Sequence, residues 1–149
     1  MKLAVASDHG ALEIKQGIVD YLKTKEIEVK DLGTTTPDSV DYPDFAAKVA
    51  ELVSAGAVDL GILACGTGIG MSIAANKFKN VRAAVVTDEY TARMSKEHNN
   101  ANILCLGGRV KNSAEAKRLV QIWLDTPFEG GRHQRRLDKI SAIEKRHFR

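Results

Sequence analysis

The sequence predicts an α/β protein built on a parallel β-sheet. Short apolar runs alternate with helix-like patterns along the chain. Strand–helix alternation repeated five times is typical of a parallel sheet with helices on both faces. The 149 residues suffice for one domain with a substantial core, and 44% hydrophobic with 28% charged residues is a globular composition. One domain spanning 1–149 is therefore expected.

The five strands are predicted from short apolar or alternating runs, at 3–6, 27–32, 60–64, 82–87 and 103–106. After the first strand, Ile14, Ile18 and Leu22 recur at helical spacing. A turn-rich loop at 33–42 precedes Pro43, which suits the first turn of a second helix. The remaining helices are expected to end near Lys77, to span 89–97 and 113–124 with Ser113 as N-cap, and to follow Gly130-Gly131.

The basic character of the chain is confined to its last 18 residues. Residues 132–149 hold seven of the 22 Lys and Arg residues but only two of the 19 Asp and Glu residues. A basic terminal helix could bind nucleic acid, but Leu137, Ile140, Ile143 and Phe148 give this one an apolar stripe. We therefore expect it to pack against protein, and we expect no nucleic-acid partner.

The two cysteines and the lack of long apolar runs favour a cytoplasmic protein. Cys65 and Cys105 lie forty positions apart without a CxxC pair, which disfavours a disulfide scaffold or a zinc knuckle and fits free thiols. No apolar run approaches the ~20 residues of a membrane helix. Only five small or apolar residues separate Lys2 from Asp8, too few for a signal-peptide core.

Polar, titratable and glycine residues follow the predicted strands. In parallel α/β sheets, ligands bind beyond the carboxyl ends of the strands. The segments expected at that edge are Ser7–His9, Gly33-Thr34, Cys65–Gly70, Asp88 and Gly107–Arg109. The sequence therefore places its candidate site at this edge of the sheet.

The glycine-rich segment Gly66–Gly70 (GTGIG) has three interpretations. It can bring backbone N–H groups to an anion, serve a dinucleotide, or only form a tight turn between a strand and a helix. No Gly-Lys-[Ser/Thr] follows, so it is not a Walker loop. Met71 stands where the dinucleotide fingerprint needs its third glycine, although Asp88 lies at about the spacing of that fingerprint's acidic residue.

Cys65 precedes this segment and also has three interpretations. A buried strand cysteine is often only a small apolar residue. A phosphatase-type nucleophile would need an arginine at the position of Met71, so that interpretation fails. A thiol at the end of a strand, before a helix, is favoured as thiolate and can act as a general base beside backbone donors. Cys105 lies between Leu104 and Leu106 and is predicted to be a core residue.

Histidine and arginine side chains supply further candidates. His9 and His98 are expected to reach the same edge of the sheet as Cys65, whereas His133 and His147 on the tail are given no role. Arg132 and Arg136 are four residues apart and share a helix face. Such a pair would suit a phosphate dianion if the helix docked near the glycine segment.

Several motifs in order along the chain resemble one known family. They are SDHG, DYPDFA, CGTGIGMSIAANK, RMSKEHNNANIL, GGR and EGGRHQRR. Together they resemble the type B ribose-5-phosphate isomerases, whose family also contains galactose-6-phosphate isomerase subunits. The resemblance covers essentially the whole chain. It implies a Rossmann-like three-layer α/β/α sandwich that forms a homodimer or a dimer of dimers, with the C-terminal helix on a partner subunit and active sites between subunits.

The resemblance also implies an activity and a role for each candidate residue. The implied reaction interconverts D-ribose 5-phosphate and D-ribulose 5-phosphate without cofactor or metal, with Cys65 as the base that moves a proton between C2 and C1 through a cis-enediolate. One branch of the family uses a glutamate at the position of Met71, which leaves Cys65 as the base here. His98, with Asp8 nearby, would assist opening of the furanose ring. The remaining implied substrate contacts are His9, Tyr42, Gly66, Thr67, Gly68, Ile69, Gly70, Asn99, Arg109, Arg132 and Arg136, with the last two on the phosphate and lent by the partner chain.

Two alternatives remain open at this point. The first is an isomerase for a six-carbon sugar phosphate, such as allose 6-phosphate or galactose 6-phosphate. The second is a nucleotide-binding regulatory module that uses the same glycine segment.

Overall fold

A computed structural model describes residues 1–148 and contains a five-stranded parallel sheet with strand order β2-β1-β3-β5-β4. The strands are β1 (Lys2–Ser7), β2 (Glu28–Asp31), β3 (Leu60–Cys65), β4 (Ala83–Val85) and β5 (Ile103–Gly107). The helices are α1 (Leu12–Lys23), which follows a 3-10 turn at His9–Ala11, α2 (Tyr42–Ser54), α3 (Ile69–Ala75), α4 (Glu89–Glu97), α5 (Ser113–Asp125) and α6 (Arg132–His147). The predicted fold class, a Rossmann-like α/β/α arrangement, is confirmed.

The sheet is covered on both faces because its central strands are apolar on both sides. On β1, Leu3 and Val5 pack with the buried faces of α1 and α5. Ala4 and Ala6, which alternate with them, pack with α2 and α3. Side chains on a strand point alternately to the two faces, so an almost uninterrupted apolar run indicates burial on both faces. Cys65 and Cys105 both face the layer formed by α2 and α3.

The two edge strands are shorter than the sequence predicts. The run at 82–87 forms a strand only over Ala83–Val85. The backbone N–H of Arg82 donates to the side chain of Asn102, and that of Thr87 donates to the side chain of Thr91. Side chains therefore take the backbone donors at both ends of the run.

The N-cap of α5 is Asn112, so the prediction that Ser113 caps this helix is wrong. The Asn112 side chain accepts a hydrogen bond from the backbone N–H of Glu115 at 2.8 Å. The Glu115 carboxylate in turn accepts one from the backbone N–H of Asn112 at 3.2 Å. This reciprocal pair is a capping box, and Ser113 becomes the first helical residue.

Replacing Asn112 with alanine is expected to lower the free energy of unfolding by about 1 kcal/mol, because the first turn of α5 loses its cap. The melting temperature should fall by about 3 °C for a domain of this size. Ser113→Ala is the matched control and should change stability by less than about 0.5 kcal/mol. Urea denaturation of both variants measures the difference. A larger loss of stability in Ser113→Ala than in Asn112→Ala would indicate that Ser113 is the N-cap.

Helix α6 buries only its first half within the chain. Its buried side chains are His133 and Leu137. Further along the predicted apolar stripe, Ile140 and Ile143 remain 49% and 51% exposed. None of the helices within residues 1–148 has the length and apolar character needed to cross a membrane.

Candidate active site

The thiol of Cys65 lies at the carboxyl end of β3, beside Gly107 of β5. The side chain is 5% exposed, and its sulfur accepts a hydrogen bond from the backbone N–H of Gly68 at 3.2 Å. A fixed N–H donor stabilises negative charge on the sulfur. Cys105 is fully buried in the core, as predicted, and burial followed by the proximity of Cys65 raises the pKa of its thiol. Cys65 is thus the cysteine with a polar partner.

The glycines after Cys65 allow the chain to turn tightly against its neighbours. Gly68 has φ +84°, and a Cβ there would lie 3.0 Å from the carbonyl carbon of Leu106. A Cβ on Gly70 would lie 2.7 Å from the ring of Tyr42. The positive φ of Gly68 and the close contacts at both glycines make any residue with a Cβ unfavourable at these positions. The glycine segment therefore fits between β5 and the start of α2, and it brings Tyr42 to the site.

Asp8 and Arg109 lie on either side of Cys65. They follow β1 and β5, the two strands that flank β3. The backbone N–H of Asp8 donates to the carbonyl of Ala64 at 3.1 Å, and that of Arg109 donates to the carbonyl of Gly66 at 3.0 Å. The Asp8 carboxylate is buried and accepts a hydrogen bond from the Gly10 backbone at 2.9 Å. The Arg109 guanidinium lies over Gly66, where a Cβ would be 3.3 Å from Nη1.

Lys15 anchors the loop after β2, a role that the sequence did not reveal. Its side chain is 1% exposed, and its ammonium donates to both carboxylate oxygens of Asp31, at 2.9 and 3.0 Å, and to the carbonyl of Thr34 at 2.8 Å. A buried charge of this kind needs such partners. The contact ties α1 to the loop after β2. At the far end of that loop the backbone N–H of Val40 donates to Nδ1 of His9 at 3.1 Å.

A cavity of about 500 Å³ opens between these groups at the carboxyl edge of the sheet. Its volume is in the usual range for small-molecule sites. A larger cavity of about 910 Å³ lies beside it, along the start of α1, but the glycine segment does not line it. The smaller cavity is lined by five of the predicted site residues: Asp8, His9, Tyr42, Gly66 and Arg109.

His98 does not lie at this edge within one chain, so the expectation that it reaches the same edge as Cys65 is wrong. Helix α4 begins after β4 and runs back along the sheet, and His98 is its C-cap. The chain then reaches Asn102, whose carbonyl accepts from Gly61 at the amino end of β3. Cys65 pairs with Gly107, the last residue of β5, which is four residues from Ile103 at the start of that strand. At 3.3 Å per residue the two ends are separated by about 13 Å.

A second cluster forms around His98 at the amino edge. The His98 ring stacks on the ring of His133, with 4.1 Å between centroids and 13° between planes. His133 is 3% exposed, whereas Arg132 and Arg136 are exposed on either side of it, and Asn99 is exposed beside His98. The structure thus gathers these four predicted residues, but away from Cys65. It adds His133, which the sequence left without a role.

His98, His133 and Glu129 bring three possible metal-ligating atoms within 4.8 Å of one another. An imidazole binds a metal ion in the plane of its ring. The two rings here are nearly parallel and face each other, so their lone pairs cannot meet at one ion without rotation of a ring. The arrangement does not suit a bound metal.

The structure gives Asp88 a structural role. Its carboxylate accepts from the backbone N–H of Thr91 at 2.7 Å and caps α4, which lowers the pKa of the carboxyl group. A dinucleotide site would use such a carboxylate for the ribose hydroxyl. Because Asp88 caps its own helix and Met71 is fully buried, the dinucleotide interpretation loses its main support.

Comparisons with known proteins agree with this geometry. The profile of the Ribose/Galactose Isomerase family matches residues 3–140. Ribose-5-phosphate isomerase B of Escherichia coli (strain K12) is 47% identical over 145 residues, which cover 97% of each chain. A solved ribose-5-phosphate isomerase B from Clostridium thermocellum is 54% identical, covers 99% of both chains and superposes with a TM-score of 0.96.

One solved relative carries a sugar phosphate. The Mycoplasma genitalium ribose-5-phosphate isomerase B with bound ribulose-5-phosphate is 49% identical, with a TM-score of 0.94 over 97% of this chain and 96% of that one. The family profile, the sequence identity over nearly the full length and the shared fold lead to one conclusion. The chain belongs to the Ribose/Galactose Isomerase family.

Proposed function

We propose that the protein is an aldose–ketose isomerase that interconverts D-ribose 5-phosphate and D-ribulose 5-phosphate. The observation that carries the proposal is the Cys65 thiol, which accepts a hydrogen bond from the Gly68 backbone beside a cavity of suitable size. Relatives named ribose-5-phosphate isomerase B, one of them with bound ribulose-5-phosphate, support the choice of substrate.

The proposed chemistry moves one proton between the two carbons and one between the two oxygens. The Cys65 thiolate removes the proton from C2 of the open-chain aldose, and the electron pair forms a cis-enediolate. The thiol then returns the proton to C1 while the hydroxyl proton on O2 passes to O1, which gives the ketose. The backbone N–H groups of Gly66–Gly70 stabilise the oxyanion, a role that suits donors held in fixed positions. Substrate and product have the same composition, so the reaction needs no external oxidant or reductant.

The other predicted residues are assigned by their positions. Asp8, His9, Tyr42 and Arg109 border the cavity and would contact the sugar, and Thr67 lies in the glycine segment. His98 would assist ring opening. Groups that act on one small substrate must lie around the same cavity. We therefore assign His98 and its neighbours to the site of another chain, where Asn99 would hold an enediolate oxygen and Arg132 and Arg136 the phosphate.

A homodimer follows from this assignment. One chain has a cavity without His98 and the tail arginines at one edge of its sheet, and it has those groups at the other edge. A two-fold axis brings the cavity of each chain to the His98 cluster of the other chain, so the dimer has two complete sites. Exposed isoleucines on both elements support such contact: Ile69 and Ile73 on α3 are 54% and 58% exposed, and Ile140 and Ile143 on α6 are half exposed. In this proposal α6 is part of the single domain and packs on the partner. A dimer of such dimers is the larger alternative.

We also propose that the protein works in the cytoplasm. The reaction depends on a reduced Cys65, and both cysteines are free thiols. Reducing compartments keep such thiols from oxidation.

Purified protein is expected to convert ribose 5-phosphate with a kcat/KM at least about 10-fold higher than for allose 6-phosphate or galactose 6-phosphate, because an extra carbon must fit a pocket shaped for the shorter sugar. Coupled assays on the three substrates measure the ratio. A higher kcat/KM for a six-carbon substrate would favour the alternative of an isomerase for six-carbon sugar phosphates. No turnover of any of them, together with thermal stabilisation by NAD or AMP, would favour a nucleotide-binding module.

A further inference from the structure

We propose that His133 is a positioning residue for His98: it holds the catalytic imidazole by stacking and makes the reaction depend on His133 being uncharged. The inference rests on the proposed function, because it takes His98 as the group that assists ring opening. It starts from the stacked pair at the amino edge of the sheet, where the rings lie 4.1 Å apart and nearly parallel.

Stacking is the main restraint on the His98 ring. His98 ends α4, and its Nε2 lies 3.9 Å from a Glu97 carboxylate oxygen, beyond hydrogen-bond distance. Among residues 1–148 no hydrogen bond to the His98 side chain is present. A partly exposed side chain at a helix end is otherwise free to change rotamer. Contact with a buried flat ring removes that freedom and fixes the direction of the imidazole nitrogens.

The backbone around His133 is built to hold this contact. The backbone N–H of Glu129 donates to the carbonyl of Glu97 at 3.0 Å, which joins the end of α4 to the segment before α6. The backbone N–H of His133 donates to the carbonyl of Gly130 at 3.0 Å and forms the first turn of α6. Leu137, one turn further on, is buried on the same face of the helix.

The surroundings of His133 favour its neutral form. Burial lowers its pKa below the ordinary value of 6.5, and the nearby His98, Arg132 and Arg136 lower it further. Glu129, with a carboxylate oxygen 3.7 Å from His133 Nε2, acts in the opposite direction. On α4, the Glu97 carboxylate lies near the pair, 3.9 Å from Nε2 of His98. Within the described residues, Nε2 of His133 is buried without a hydrogen-bond partner.

The direction of the pH dependence follows from this shift. A histidine whose pKa is lowered in the folded protein contributes its full packing stability above about pH 6.5, where it is neutral in both states. That contribution is lost as the pH falls through the lowered pKa. A proton on His133 would place charge in a buried position beside two arginines and a second imidazole, and it would drive the ring out of the stack. Isomerisation should therefore weaken on the acid side.

Two substitutions separate the two effects of His133. His133→Phe keeps a flat ring that can stack but cannot be protonated. It should retain kcat at about pH 8 within about 3-fold, and the acid limb of its pH–rate profile should move to lower pH. His133→Ala removes the stacked ring. It should lower kcat by about 10- to 100-fold at every pH, with a smaller change in KM, because His98 is misplaced.

Leu137→Ala is the matched control, since it removes a buried side chain from the same face of α6, one turn beyond the stacked ring. It should lower the melting temperature and leave the position of the acid limb unchanged. The assay is ribose 5-phosphate isomerisation from about pH 5 to 9, with the melting temperature measured for each variant. An unmoved acid limb in His133→Phe, or a kcat for His133→Ala equal to that of Leu137→Ala, would overturn the inference.

A spectroscopic test is independent of activity. In wild-type protein, the Hε1 resonance of His133 should titrate below pH 6.5 and the His98 resonance should respond to the same ionisation. The coupling should disappear in His133→Phe. Independent behaviour of the two resonances would contradict the stacked pair even if the enzyme were active. Wild-type protein that turned over none of the sugar phosphates would instead refute the proposed function, and the titration would still decide whether the two rings are coupled.

Discussion

Cys65→Ala is expected to lower kcat for ribose 5-phosphate isomerisation by about 10²- to 10⁴-fold, the range that a positioned general base supplies. KM should change little, because Cys65 is 5% exposed and the cavity is lined by other residues. The fold should survive, since alanine fits the position of a buried cysteine at the end of β3. Steady-state kinetics and a melting curve on the same preparation measure both effects.

Cys105→Ala is the control for this prediction. Cys105 lies on the neighbouring strand, faces the same layer and is fully buried, but it lies within β5, two residues before the end of the strand. It should lose about 1 kcal/mol of stability and keep its kcat. Near-normal turnover by Cys65→Ala would exclude Cys65 as the base. Equal loss of kcat in both variants would indicate damage to the core rather than loss of a catalytic group.

A hybrid dimer of Cys65→Ala and His98→Ala chains is expected to recover about half of the wild-type kcat per dimer, although each variant alone is nearly inactive. If Cys65 and His98 of different chains share a site, one site of the hybrid contains both lesions and the other contains neither. Co-expression with two different affinity tags, followed by purification on both, isolates the hybrid. Its activity is compared with that of each parent.

The matched control is a hybrid of Cys65→Ala and Asp8→Ala. Asp8 and the glycine segment after Cys65 border the same cavity of one chain, so each site of this hybrid carries one lesion and no activity should return. Absence of recovery in the first hybrid as well would place His98 in the same site as Cys65 within one chain. A protein that stays monomeric at assay concentrations and is fully active would also refute the shared site.

The order of elements and the side of the sheet that carries Cys65 were predictable from the sequence. Apolar runs of strand length with helical spacing between them require parallel pairing, because each crossover returns the chain to the same end of the sheet. Cys65 ends β3 and Asp8 directly follows β1, so parallel pairing alone brings them to the same edge of the sheet. The predicted bounds of the edge strands and the predicted cap of α5 were less accurate. A side chain such as that of Asn102 or Asn112 can accept a hydrogen bond from a backbone N–H at the end of an element.

Position in the sequence was a poor guide to His98 and His133. The end of the sheet at which α4 stops depends on the direction of the helix, and the contact between α4 and α6 joins segments far apart in the chain. A helix that follows a strand returns antiparallel to it, so the last residue of α4 lies at the edge opposite its first. The position of His133 on the face shared with Leu137 was a usable signal, because residues four apart cover the same stripe of a helix.

The sequence by itself therefore determined the parallel α/β sheet, the position of the glycine segment after Cys65 and the family. These properties depend on local patterns, on the direction of successive strands and on motifs within single segments. The tertiary structure decided that Cys65 and His98 lie at opposite edges of one sheet and that His133 is buried against His98. These depend on where separate elements meet in space, which is set by packing between residues far apart in the chain.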